Sequence, residues 1–219
     1  MRTSTLRFTA AVFAILSLAA TSAMAGSILV NNNNFSTLPT NGLNHANSAG
    51  PYSESVGIPG WTATGATGQW APSGVVLGLP AGATAVAYSN GPTISQTVSP
   101  TVVAGDTYTL TVDIGDRKGI TPFPGGADLS IGGVAYDATG TPLAGGWSVY
   151  TATFTGDAAD AGDAITIQLT DHGTQTDFSD VTLSFTDPPP APTPEPGTLS
   201  LAGLGLLCAM GYGLRKSVA

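Results

Sequence analysis

Between residues 26 and 187 the sequence carries thirteen carboxylates but only two cations, Arg117 and Lys118. Two carboxylates flanking a glycosidic bond could hydrolyse it. Several converging could hold a hard cation such as Ca²⁺. Dispersed, they only keep a protein soluble. Asp157, Asp160 and Asp163 in GDAADAGD are close in sequence. They lack the Asp-x-Asp-x-Asp-Gly order and the distant Glu of a helix–loop–helix Ca²⁺ site, so they read as a solvated turn. Glu54, the one Glu of this stretch, lies in a polar segment with no partner that spacing identifies. His45 and His172 stand outside any His-Glu-x-x-His pattern, which leaves a zinc protease unsupported. There is no Gly-x-Ser-x-Gly elbow and no Gly-rich phosphate loop. The lone cysteine, Cys208, lies near the C-terminus, so residues 26–187 can form no disulfide, thiolate zinc site or cysteine nucleophile. With no catalytic constellation to assign, the expectation is a protein that is not an enzyme.

Binding chemistry is the alternative. Trp61, Trp70 and Trp147 could stack on sugar rings or fill a core. Trp147 alternates with Val149 and reads as core. Trp70 sits in the loop-like TGQWAPSG and is the candidate for an exposed glycan contact. Asn31–Asn34 could face a sugar, though an asparagine run also makes turns. Nucleic acid is excluded, because no basic stripe exists to neutralise phosphates. Anionic lipid would repel so acidic a body.

The elements that must position these residues are strands. In TYTLTVDI, Thr107 to Ile114, the residues Tyr108, Leu110, Val112 and Ile114 fall on one face and the threonines on the other. Similar segments are Ser27–Val30, Gly74–Leu77, Thr84–Tyr88, Thr93–Val98, Leu129–Ile131, Trp147–Phe154, Ala164–Thr170 and Phe178–Phe185. Gly, Pro, Asn and Asp clusters separate them, and no stretch keeps a 3.6-residue period over three turns. About nine short strands predict an all-β fold, an antiparallel β-sandwich of jelly-roll type. Residues 31–59 read as a long polar loop over one end of it.

Both ends of the chain are of another kind. Arg2 and Arg7 precede an apolar run from Phe8 to Ala20 and then Ala23-Met24-Ala25. This is a signal peptide spanning 1–25, with Ala23 and Ala25 as the small residues read by signal peptidase. The β-sandwich then occupies 26–187, and 188–193 is a proline-rich linker. Residues 199–214 are apolar; as a helix they would be ~24 Å long against a bilayer core of ~30 Å. Arg215 and Lys216 follow at the membrane end and would stay cytoplasmic.

A signal peptide, an exported body, then Pro194-Glu195-Pro196, a short Leu/Gly-rich helix and a terminal Arg-Lys together resemble the PEP-CTERM sorting signal, covering 194–219. The resemblance implies a Gram-negative bacterium and recognition by an exosortase, which would cut near the Pro-Glu-Pro and remove the transmembrane helix. The precursor would be held in the inner membrane, and the product would reach the cell surface or the extracellular matrix of exopolysaccharide and biofilm. The body resembles jelly-roll carbohydrate-binding and galactose-binding-like domains. It does so through Asn34-Phe35, Gly60-Trp61, ISQTV, AGDTYTLTVDIG, WSVYTATF and DFSDVTL. That resemblance implies polysaccharide as a partner. It also implies a structural Ca²⁺ at Asp180, with backbone carbonyls near Asn31–Asn34. The alternative there is a side chain capping backbone N–H groups. A secreted glycan-active enzyme, or a surface protein with no ligand, are the competing functions.

Overall fold

The computed structural model describes residues 23–54, 57–63, 65–188, 197 and 203–206. Residues 23–188 form a compact unit of their own. It has its own core and can be made without the chain ends. The basic and apolar residues of the expected signal peptide lie outside the described residues. So do Pro194, Glu195, Pro196, Arg215 and Lys216, and most of the apolar run 199–214. Gly197 and Gly203 to Leu206 are helical, and among the described residues no helix is long and apolar enough to cross a membrane.

The described body is all strand and loop, in two antiparallel sheets, as the alternation predicts. The larger sheet contains β1 (Ala25–Ile28), β2 (His45–Asn47), β3 (Gly50–Tyr52), β5 (Thr67–Trp70), β6 (Val86–Ser89), β8 (Thr107–Gly115), β11 (Trp147–Thr155) and β13 (Thr176–Thr186). Its order is β11-β8-β13-β6-β5-β3-β2, with β1 pairing onto β13. The smaller sheet contains β4 (Thr62–Ala63), β7 (Ile94–Thr101), β9 (Gly125–Ile131), β10 (Val134–Asp137) and β12 (Ala164–Asp171), in the order β10-β9-β12-β7-β4. Ala25 opens β1 in register with Thr186, so the two ends of the body lie side by side.

The main core fills the space between the sheets. From β8 come Tyr108, Leu110, Val112 and Ile114, as the period predicts. Facing them are Leu129 and Ile131 of β9 and Ile165, Ile167 and Leu169 of β12. Each such side chain contributes roughly 1.5–3 kcal/mol relative to exposure. With Cys208 outside the body, this burial does the work a disulfide would do in many secreted domains.

Three expectations are corrected. Trp147 is not in this core: Tyr150, Ala152 and Phe154 are the inward residues of β11, while Val149 is 60% exposed. Gly74–Leu77 is no strand but part of the long connection from β5 to β6. Residues 31–59 hold two short strands, β2 and β3, that extend the larger sheet. They also hold Phe35, fully buried in the main core with a φ of 55°. Gln96 fixes that segment, accepting from Asn31 N (2.8 Å) and donating to Asn31 O (2.9 Å) and Gly60 O (2.8 Å).

Candidate functional site

Strands alternate faces, so residues that are not in the main core of the larger sheet point outward. Along β13, Phe178 faces the core; Asp177 and Ser179, its neighbours, face out. On β6, Ala87 faces the core, while Val86 and Tyr88 face out. Here the outer face is not fully solvated. Trp70 of β5, Leu77, Val86 and Tyr88 form a second apolar cluster on it, with Trp147 and Tyr52 packed against them. Trp70, expected to be exposed on a loop, ends β5 and is only 3% exposed.

A closed ring of polar contacts lies beside this cluster. The Trp70 indole N–H donates to Asp177 Oδ1 at 2.7 Å, and Gln175 Nε2 donates to the same oxygen at 3.1 Å. Arg117 Nη1 donates to Gln175 Oε1. The Arg117 guanidinium lies 5.0 Å from the Trp70 ring centroid, a cation–π distance. Asp177 is fully buried, and its Oδ2 has no protein partner. Burial pushes its carboxyl up to about 7, against the opposing pull of Gln175, Arg117 and Trp70, and the nearby Asp171 carboxylate adds to the rise. An acid of this kind is neutral below pH 7 and can donate a hydrogen bond.

An open cleft of about 220 Å³ adjoins the ring. Arg117, Gln175 and Trp70 form one side of it. Asn47, Glu54 and Asn90 add hydrogen-bonding groups. Tyr52 and Tyr88 supply aromatic surface. The Tyr52 ring stacks on His45 at 5.2 Å. The Tyr88 hydroxyl donates to Ser53 O at 2.8 Å; burial, then Glu54 and Tyr52, push that phenol up to about 12. Chemically, the cleft can hydrogen-bond a polar ligand through amides, a carboxylate and a guanidinium, with aromatic carbon beside it.

Of the residues singled out from sequence, Trp70 and Glu54 lie at this site. Asp180 does not. It is exposed, in a β-bulge between Ser179 and Thr182, with a φ of 45°. Carbonyls that a Ca²⁺ would need are engaged: Asn31 O by Gln96, Asn32 O by Phe35 N and the Trp61 indole, and Asn33 O by Val181 N. Among the described residues no three His, Cys, Asp or Glu side chains converge on a metal position. The Asn31 and Asn33 carbonyls each keep a second lone pair, so these hydrogen bonds leave the Ca²⁺ expectation at Asp180 to the chelator test. The asparagine run makes turns: Asn32 Oδ1 accepts from Thr37 N at 2.9 Å and Asn34 Oδ1 from Ser36 N at 3.1 Å. In GDAADAGD, Asp157 Oδ1 accepts from Ala159 N at 2.6 Å, which is the solvated turn expected there.

Sequence reading missed Asp177, Gln175 and Arg117 as a group. Arg117 carried a signal, being one of two cations in the body. Asp177 carried none, since its burial depends on tertiary neighbours, among them Trp70, that its own stretch of sequence does not show.

Two sequence families match the chain: HpiC1-like, described as HpiC1 cyclase, over residues 26–184, and the PEP-CTERM protein-sorting motif over residues 192–216. No curated protein matches. Among solved structures, a cyclase from Fischerella sp. TAU in complex with 4-(1H-indol-3-yl)butan-2-one is 21% identical, covers 73% of this chain and 97% of its own, and has a TM-score of 0.56. The CBM22-1 xylan-binding domain of Paenibacillus barcinonensis Xyn10C is 9% identical over 78% of this chain and 99% of its own, with a TM-score of 0.43. A CBM4 module is 20% identical over 71% and 99%, with a TM-score of 0.37. The outward-facing cluster and its acid thus sit in a chain that belongs to the HpiC1-like family and ends in a PEP-CTERM sorting motif.

Proposed function

We propose that this is an exported protein whose mature body binds a neutral glycan segment without turning it over. A PEP-CTERM motif implies export and processing by an exosortase. Signal peptidase would act after Ala25, and the inner membrane would hold the precursor until the second cut. The body would then work at the cell surface or in an exopolysaccharide matrix. The observation that carries the binding reading is the cleft lining, where Asn47, Glu54, Asn90, Arg117 and Gln175 offer donors and acceptors beside tyrosine carbon. Sugars need this mixture, because hydroxyls must be paired while ring C–H faces are covered. The test is a glycan array probed with the body, residues 26–187. Arg117→Ala and Asn90→Ala should each weaken the strongest neutral ligand about tenfold, the loss of one good polar contact. Unchanged binding in both variants would remove the cleft from the reading.

A second reading rests on Asp177. A buried carboxyl titrating at about 7 suits a general acid, and the family is described by a cyclase. The relative's ligand is an indolyl ketone. An acid here would lend a proton to a carbonyl or alkene during ring closure. Turnover of such a ketone or alkene by the wild-type body, lost in Asp177→Asn with the fold intact, would select catalysis over binding.

A further inference from the structure

The connection from β5 to β6, residues 71–85, joins neighbouring antiparallel strands. Such neighbours need only two to five residues. The surplus folds back over the outer face of the larger sheet. Leu77, at its middle, is 1% exposed although the segment forms no strand. It stands on Gly115: a Cβ there would lie 2.7 Å from Leu77 Cδ2 and 3.0 Å from the Trp147 ring. Gly115 is in register with Asp177 on one side and Trp147 on the other. Among the described residues four hydrogen bonds tie the segment to the rest of the body: the Trp147 indole donates to Gly78 O at 2.7 Å, Lys118 N to Val76 O at 3.0 Å, Ser73 N to Ala49 O at 2.8 Å and Ala71 N to Pro51 O at 2.9 Å. Gly74 (φ 85°) and Gly82 (φ 80°) bracket the plug, and nothing lies within 4 Å of where a Cβ on either would be. Both positions have room to turn.

On the same outward face of the sheet two polar groups lack partners. Asp177 Oδ2 and Ser179 Oγ are buried and have no protein partner. They are successive outward residues of the same strand. Two unpaired polar groups on one covered face would be costly if the cover were permanent. Trp70 donates to the other Asp177 oxygen, and Trp147 stands with Leu77 over Gly115, the register partner of Asp177.

We infer that residues 71–85 are a lid over a covered subsite continuous with the open cleft, and that Leu77 holds the place of one sugar ring. When the lid lifts, Trp70 and Trp147 offer a ring its apolar flank. Asp177 and Ser179 offer its hydroxyls two partners. A pyranose has this arrangement, carbon on the faces and oxygen at the edge. The inference rests on the glycan reading above and adds the position of a subsite and the element that guards it.

The body contains no cysteine, so a reversible lock can be introduced. Val76→Cys with Lys118→Cys joins two residues whose backbones already hydrogen-bond. Acrylamide quenching of tryptophan fluorescence reads lid opening; calorimetry with cellohexaose and xylohexaose reads binding. Oxidation should protect tryptophan and weaken hexaose binding at least tenfold, and reductant should restore both. Leu77→Ala, which needs no disulfide, should quench more readily and bind several-fold more tightly, since no plug is displaced. Equal quenching and affinity in oxidised and reduced protein, with Leu77→Ala matching wild type, would overturn the lid. Quenching that responds to the lock while no hexaose binds in any state would leave the lid standing, and would overturn the glycan reading and the sugar occupant with it.

Discussion

Asp177→Asn should flatten the pH dependence of stability. In the folded body burial raises this carboxyl from 3.8 to about 7. Below pH 4 the group is protonated whether the chain is folded or not. From there to pH 7 the folded chain keeps a proton that the unfolded chain has released. Stability therefore falls as pH rises, by up to ~1.4 kcal/mol per pH unit. Above pH 7 both states are ionised and the loss levels off, at about 4 kcal/mol in total. In a domain of this size that corresponds to roughly 10 °C in melting temperature. Burial also raises Asp106, Asp113, Asp116 and Asp128, the last to about 6. They slope the same way, so the quantity to measure is the difference between wild type and variant. Asparagine keeps an oxygen for Trp70 and Gln175 to donate to, and puts an amide where Oδ2 lacks a partner. That costs about 1–3 kcal/mol at every pH and changes the intercept, not the slope. The assay is urea unfolding of the body at intervals from pH 4.5 to 8. The two curves should cross at about pH 4.5–6, and by pH 8 wild type should lie about 1–3 kcal/mol below the variant. Parallel curves would show that Asp177 does not hold a proton in the folded state, and the electrostatic account of the site would fail.

Two further predictions concern the edges of the body. With the carbonyls of Asn31, Asn32 and Asn33 already engaged, EDTA should leave the melting temperature unchanged, and so should Asp180→Ala measured with and without Ca²⁺. A chelator-induced drop that Asp180→Ala abolishes would restore the structural cation. Changing Pro194, Glu195 and Pro196 together to alanine should leave the precursor uncut and membrane-associated, read by intact mass and fractionation; normal mature mass and location would remove the motif from sorting.

The parts of the fold that could be read in the sequence are those where one residue type repeats with a period. In β8 the aliphatic and threonine residues separate cleanly, because one face meets the opposite sheet and the other meets water. Trp147 shows the limit. Alternation gives the period of a strand but not which face is inward, and in β11 both faces carry aromatic or aliphatic residues. On the outer one, Trp147 packs against the connection from β5 to β6, while Val149 is exposed. Gly74–Leu77 was misread for the same reason: Val75, Val76 and Leu77 are a β-favouring run, yet glycines at 74 and 78 and the packing of Leu77 on Gly115 keep it out of either sheet. Asp177 and Asp180 sit three residues apart and differ entirely in burial, because the bulge between Ser179 and Thr182 turns Asp180 out to solvent. A single extra residue in a ladder leaves no mark in local composition. The sorting motif, by contrast, was legible in the sequence, since it is a linear feature, and its family matches residues 192–216.

The charge state of Asp177 also constrains what it can meet. Both protein donors, Trp70 and Gln175, point at Oδ1. The proton therefore belongs on Oδ2, the oxygen with no partner. A group arriving there below pH 7 must accept a hydrogen bond; above pH 7 it must donate one. Carbonyl and ether oxygens satisfy only the first condition, whereas a hydroxyl satisfies both. A glycan hydroxyl would keep its place across the transition, and a substrate awaiting a proton would lose it. The pH dependence of ligand binding therefore separates the two readings. Binding that is flat through pH 7 favours a hydroxyl in a non-catalytic site, and binding that collapses above pH 7 favours an acceptor poised before an acid.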